Sequence, residues 1–270
     1  SKELLKEAAK GGYAVPAFNI DNLESAIAVV NAVKKLKTPV IIQMIPRTLA
    51  YGGIPTYPAM LKALLENVDI PVVIHLDHGN MEVLEKAVSA GFSSVMYDGS
   101  ALPLNENIDN TIKARLIASE LSLEGELGSI GGKEESDIEG KSAYTDVNEA
   151  TLFVEKTKVD SLAIGVGTVH GLYKGEPKIN QKRIAELNEA LDVPLVLHGA
   201  TGLPDETVRA AIKNGIAKIN FATELRLTFT HSLKKVLESE TSFDPKAYFP
   251  EVIKAVQEAV ERKIQLCYNL

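Results

Sequence analysis

The chain has 270 residues, 45% of them hydrophobic and 24% charged, with a net charge of −7. That apolar content is enough to bury a large core, so one domain spanning 1–270 is expected rather than several small ones. The acidic balance argues against a nucleic-acid or membrane-surface role for the chain as a whole, yet it leaves room for a phosphorylated metabolite held by helix N-termini, backbone N–H groups, a metal or single arginines. The lone cysteine, Cys267, rules out a disulfide framework within the chain and fits a reducing compartment. The opening segment SKELLKEAAKGGYAV is charged and amphipathic, without the apolar core of a secretory leader, and no apolar run is long enough to span a bilayer. A cytoplasmic location is expected.

Short β-branched runs alternate with longer helical patterns along the whole chain. YAVPAFNI (13–20) reads as a first strand, followed by a helix from Asn22. TPVIIQMI (38–45) is a second, with a helix around Tyr57–Glu66, and IPVVIHL (70–76) a third, with a helix from Met81 to Ala90. SSVMYD (93–98) is a fourth, with a helix around Asn105–Leu121, and SLEGEL (122–127) a fifth. DSLAIGV (160–166), VPLVLHG (193–199) and AKINFA (217–222) complete the set. Alternation of this kind predicts a parallel sheet with crossover helices, and continuous apolar strands predict that both sheet faces are covered. Eight such units point to an α/β fold, a (β/α)8 barrel, with an extra C-terminal helix at about Pro250–Leu266. A doubly wound open sheet is the alternative. The connections 128–145 and 167–180 are long, polar and glycine-containing, and both belong to the C-terminal face, where barrel enzymes keep their active sites.

Three histidines fall where strands end: His78 in HLDHG, His170 in GTVHG and His198 in LVLHG. Strand ends converge in a barrel, so these three can share one metal ion with a position left open for substrate. His75 reads as structural or supporting, and His231 as an ordinary helix histidine. Asp77 is either a cap for the following helix or a proton carrier beside the metal. Glu124 and Glu126 alternate on the fifth strand and so point the same way; Glu126, nearer the tip, is the better site candidate. Glu134 sits on a glycine-hinged loop that could close over substrate. HGATG (198–202) and NFATE (220–224) follow the last two strands, the usual phosphate position in such barrels, with Thr201 and Thr223 as added donors. Thr223 has an alternative reading as a helix cap.

In order along the chain stand YAVPAFNI, HLDHG, SVMYDGS, EGELGSIGGKEE, GVGTVHGLYKG, LVLHGATGL and KINFATEL. Together they resemble the class II, metal-dependent ketose-bisphosphate aldolases, which act on fructose and tagatose 1,6-bisphosphates and related sugars. The resemblance implies Zn2+ on His78, His170 and His198, with Glu126 able to contact that metal or a second divalent ion. It implies Asp77 as the acid–base residue at the cleaved hydroxyl and Glu134 as the residue handling the proton on the dihydroxyacetone phosphate half. Asn19, Gly171, Gly199, Ala200, Thr201, Asn220, Phe221, Ala222 and Thr223 would hold substrate. Backbone oxygens near Val169, Gly171, Gly199 and Thr201 would hold a monovalent cation, Na+ or K+. A homodimer or homotetramer, a phosphorylated ketose substrate and a place in glycolysis or related carbohydrate metabolism go with the family.

The departures concern the aldehyde half of the substrate. A serine common in fructose-bisphosphate members is absent near Ile45, and Arg47 follows, able to meet a second phosphate or a carboxylate. A similar arginine occurs in relatives acting on 6-phospho-5-dehydro-2-deoxygluconate. Ala222 leans toward the tagatose type, while Arg262 matches an arginine that reaches the distal phosphate from a neighbouring subunit. Fructose or tagatose 1,6-bisphosphate, cleaved to dihydroxyacetone phosphate and glyceraldehyde 3-phosphate, is the main expectation and the phosphorylated keto acid the alternative. A barrel metallohydrolase and a zinc-stabilised binding protein are the readings from other classes. Lys218, early in the eighth strand, is expected to be solvated rather than to form a Schiff base.

Overall fold

The computed structural model describes residues 1–131 and 144–270. The eight apolar runs form strands β1 (Val15–Asn19), β2 (Val40–Met44), β3 (Val72–Gly79), β4 (Ser94–Tyr97), β5 (Ser122–Leu127), β6 (Ser161–Ile164), β7 (Leu195–Leu197) and β8 (Ile216–Phe221). All neighbours are parallel, and β8 returns to pair with β1 (Val15 beside Lys218, Ala17 beside Asn220), which closes the sheet into a (β/α)8 barrel and excludes the open alternative. The helices are α1 (Lys2–Gly11), α2 (Leu23–Leu36), α3 (Pro46–Gly52), α4 (Thr56–Leu64), α5 (Met81–Ala90), α6 (Leu104–Ile117), α7 (Val147–Thr157), α8 (Gln181–Ala190), α9 (Asp205–Lys213), α10 (Thr223–Leu237) and α11 (Pro245–Tyr268).

The helices cover the outer faces of the strands and bury one continuous apolar core there, including Phe18, Ile42, Phe153, Ile219 and Phe221. A second, smaller cluster lies at the N-terminal end of the barrel. Leu5 and Ala8 of α1 pack there against Val15, Ala17, Ile41, Val73 and Ala217.

Local chemistry explains most boundaries. Asn22 caps α2 by accepting from the Ser25 amide, and the Ser25 hydroxyl oxygen accepts in return from the Asn22 N–H. Three differences from the sequence reading have physical causes. Pro46 opens the short helix α3, an N-terminal role that proline fills well, in a stretch for which the sequence reading named no element. The last helix begins at Pro245, with Asp244 capping it by accepting from Lys246 N, so Pro250 lies inside it rather than at its start. The cap of α5 is Asn80, whose side chain accepts from Val83 N, and not Asp77.

Candidate active site

Asp77 stands at the centre of the C-terminal mouth. His75 and Asp77 are two apart on β3 and both face the barrel interior, as strand alternation requires. Only 1% of Asp77 is exposed. Its Oδ2 accepts from Asn19 Nδ2 at 2.9 Å and Gln43 Nε2 at 3.0 Å, and its Oδ1 from Asn220 Nδ2 at 3.2 Å. Burial works to raise its pKa, but the His78 and His198 imidazoles, the Lys218 ammonium and the Asn19 amide outweigh it, leaving the group below its ordinary value. The helix-cap reading of Asp77 therefore falls: it is a buried carboxylate on amide donors.

His78 is the next residue, and alternation alone would turn it away from the interior. It adopts φ 50, a left-handed conformation, where the pairing of β3 with β4 is irregular between Leu76 and Gly79. This break lets consecutive residues reach the same site. His78 Nδ1 is 2.8 Å from Asp98 Oδ2, and its Nε2 is 3.0 Å from His198 Nδ1. His198 Nε2 in turn is 3.0 Å from Glu124 Oε1. His170 comes from the loop after β6, which is tied to the segment following β5 by His170 N donating to Gly131 O at 2.7 Å. The three imidazoles have ligand nitrogens all within 4.8 Å of one another.

The donor set fits a zinc ion. Two imidazoles each spend one nitrogen on a carboxylate and turn the other toward the shared space, the arrangement by which carboxylates orient metal-binding histidines. Glu126 Oε2 is buried without a hydrogen-bond partner and lies 3.7 Å from His198 Nδ1. His78, Asp98 and Glu126 form a second overlapping group of possible ligands. The cluster distributes its protons unevenly. Burial pulls against protonation of His78, but Asp77, Asp98 and Glu126 prevail and raise its pKa. Burial and the His78 charge lower that of His198, and burial with the Asp98 charge raises that of Glu126. Asp98 is held low by His78 and Ser100 despite burial.

Beside this cluster lies a narrow cleft lined by His170, Gly171, Gly199, Ala200, Thr201, Asn220, Ala222 and Thr223. Thr223 is the first residue of α10 rather than its cap; Ala222 holds the cap position and supplies no side-chain bond, so the opening N–H groups depend on other partners. One is found in the Thr201 hydroxyl, 3.4 Å from Glu224 N. Gly199 has φ 67, and a Cβ there would lie 2.5 Å from Val169 O, so the backbone approach of the two loops needs glycine. Gly199 O already accepts from the Tyr173 hydroxyl at 2.8 Å, a bond that occupies one of the carbonyls expected near a monovalent cation. Phe221 does not line the cleft: strand alternation sends its ring outward, fully buried, 5.8 Å from that of Phe18 and beneath Lys263 Nζ.

Arg47 is exposed on the first turn of α3 and lines a separate rim cleft of about 490 Å³ with Asp21, Asn22, Ile45, Thr48, Tyr51 and Arg226. Asp21 clasps Arg226 through Nε at 2.7 Å and Nη2 at 3.0 Å. Arg262 is exposed on α11 and lines neither cleft; its neighbour Glu261 pairs with Lys35 at the far end of α2. Glu134 lies outside the described residues.

One expectation fails outright. Lys218 is not solvated: it is fully buried, with Nζ 2.7 Å from Glu124 Oε2 and 3.4 Å from His75 Nε2. An early strand position in a closed barrel is interior, not exposed. Asp98 and Glu124 were missed as supports of the histidines. The signal available was the placement of Asp98 at a strand end and of Glu124 two residues before Glu126.

A closed barrel with three imidazoles and a buried carboxylate beside a glycine-lined cleft defines a metal-dependent barrel enzyme. The family model for fructose-bisphosphate aldolase class-II matches residues 1–269, and the chain belongs to that family. It is thus a class II aldolase, a lyase, in a family that depends on zinc. It is 44% identical over 269 residues to the 6-phospho-5-dehydro-2-deoxy-D-gluconate aldolase of Shouchella clausii (strain KSM-K16), covering 97% of this chain and 92% of the relative. Among solved structures, the YdjI aldolase from Escherichia coli K12 is 33% identical with a TM-score of 0.88, over 98% of this chain and 96% of that one. A putative fructose-1,6-bisphosphate aldolase from Coccidioides immitis is 28% identical with a TM-score of 0.91, over 98% and 94%. Among the described residues, no helix is long and apolar enough to cross a membrane.

Proposed function

We propose that this aldolase reversibly cleaves a phosphorylated keto acid, 6-phospho-5-dehydro-2-deoxy-D-gluconate, into dihydroxyacetone phosphate and 3-oxopropanoate. The observation that carries the reading is the 44% identity to an enzyme of that name along nearly the whole chain. Arg47 supports it, because a guanidinium on the rim cleft suits the carboxylate that this substrate carries in place of a second phosphate. Fructose or tagatose 1,6-bisphosphate, the main expectation from sequence, ranks second.

In this reading His78, His170 and His198 hold Zn2+, with Glu126 as a further ligand. Bound zinc would supply a Lewis acid for the negative charge that develops on the ketone and neighbouring hydroxyl oxygens. Asp77 takes the proton from the hydroxyl β to the ketone as the adjacent carbon–carbon bond breaks. That hydroxyl carbon leaves as the aldehyde, and the bonding pair stays on the dihydroxyacetone phosphate half. Glu134 returns a proton to that half. Asn19 and Gln43 hold Asp77 in place, and Gly171, Gly199, Ala200, Thr201, Asn220, Ala222 and Thr223 cradle the phosphate, with a backbone contribution at Phe221. A Na+ or K+ ion beside the phosphate belongs to the same proposal. Arg262 lines neither cleft of its own chain, so any role for it runs through a homodimer or homotetramer of single-domain barrels.

The test is a coupled cleavage assay on the keto acid and both bisphosphates, with wild type and Arg47→Ala. The keto acid should give the highest kcat/KM, and Arg47→Ala should erode that preference by about tenfold or more, the loss of one charge-assisted pair. A higher kcat/KM for either bisphosphate overturns the substrate assignment.

A further inference from the structure

We infer that Lys218 is a positioning residue for the metal site: by holding one oxygen of Glu124 it turns the other to His198 and thereby fixes which nitrogen of His198 faces the metal. The inference rests on the zinc role proposed for the three histidines.

The chain of contacts starts deep in the barrel. Ser94 Oγ lies within hydrogen-bond reach of His75 Nδ1 at 2.8 Å, Ser1 Oγ at 3.0 Å and Ser122 O at 3.3 Å. The Lys218 ammonium can only donate, so His75 Nε2, 3.4 Å from its Nζ, accepts, and the ring hydrogen sits on Nδ1 toward Ser94. Lys218, a donor only, directs a stronger bond to Glu124 Oε2 at 2.7 Å. Ser161 Oγ reaches the same oxygen at 3.4 Å. With Oε2 engaged, Oε1 is left for His198 Nε2 at 3.0 Å. A carboxylate only accepts, so His198 must carry its hydrogen on Nε2 and present a bare Nδ1 to the space shared with His78 and His170. His78 is set differently, by Asp98, whose Oδ1 is held by Ser100 N at 3.0 Å and Ser100 Oγ at 2.7 Å. One ligand is thus oriented from the rim and the other from the barrel interior.

The discriminating variant is Glu124→Gln. If Lys218 governs this position, the amide oxygen of the glutamine must face the ammonium, and its NH2 must face His198. His198 then has to accept at Nε2 and carry its hydrogen on Nδ1, toward the metal. Zinc affinity, measured by competition with a chromogenic chelator, should weaken about 10–100-fold. Long-range 1H–15N spectra of the metal-free protein should show the switched tautomer. Adding Lys218→Met frees the amide to turn its oxygen to His198, so the double variant should bind zinc more tightly than Glu124→Gln alone and regain the Nε2–H tautomer. A double variant no tighter than the single, or a Glu124→Gln protein with unchanged affinity and tautomer, overturns the proposal and leaves Lys218 a structural residue. The double variant replaces a charged pair with neutral groups, so it keeps the test open where Lys218→Met alone would strand a buried carboxylate. If wild type binds zinc no better than His170→Ala, the metal reading itself fails, while the tautomer spectra still judge Lys218.

Discussion

The two ends of the barrel are built on opposite terms. At the mouth, buried polar atoms go without partners: Gln43 Oε1, Glu126 Oε2, Thr168 Oγ1 and Asn220 Oδ1. A non-glycine residue, His78, holds a left-handed backbone there. At the base, the described residues are settled. Leu5 and Ala8 of α1 fill the opening with apolar contacts, and Asp160 accepts from Lys2 Nζ at 2.8 Å, Arg115 Nη1 at 2.7 Å and Leu123 N at 3.0 Å. Unsatisfied groups are costly when buried, so their concentration at one end marks where folding stability yields to ligand binding. Stability and chemistry should then be separable by position.

The sharpest way to break that contrast is Asp77→Ala. Loss of a positioned proton carrier should lower kcat by about 10²–10⁴-fold, with zinc content kept. A kcat within tenfold of wild type would remove Asp77 from its proposed role. Leu5→Ala is the mirror experiment at the base. It should cost about 2–5 kcal/mol of unfolding free energy while kcat per folded molecule stays level; a selective loss of kcat would mean that the two ends are coupled. The smallest effect is expected from Asp160→Asn. The donors from Lys2, Leu123 and Arg115 outweigh burial and hold this carboxyl below its ordinary value. A depressed folded pKa stabilises the protein above the unfolded value of about 3.9 and stops doing so as pH falls through the folded value. The variant should therefore lose about 1 kcal/mol near neutral pH and show a shallower decline of stability in acid. Urea titrations at several pH values check this, and equal acid slopes would contradict it.

The barrel was legible in the sequence because each strand is covered on both faces and so reads as an unbroken apolar run. The bounds of α5 could be read directly, with Asn80 before it and Gly91 after. The three histidines and Asp77 were legible as strand-end residues. What escaped was depth and direction. Glu124 and Glu126 share a face, but only the closed barrel shows that Glu124 reaches His198 from below while Glu126 stands beside the imidazoles. Lys218 was misplaced for the same reason, since a charge early in a strand is wet in an open sheet and enclosed in a closed one. The inward turn of His78 depends on one backbone angle, which no periodicity encodes.

That angle also filters what evolution or design can put at position 78. Valine, isoleucine and threonine are poorly tolerated at such torsions, whereas asparagine and aspartate visit them readily. The least disruptive exchange of this proposed ligand is therefore to an oxygen donor, which would move the preference of the proposed centre from zinc toward harder ions such as manganese or magnesium. A single codon change could redirect the metal without rebuilding the strand.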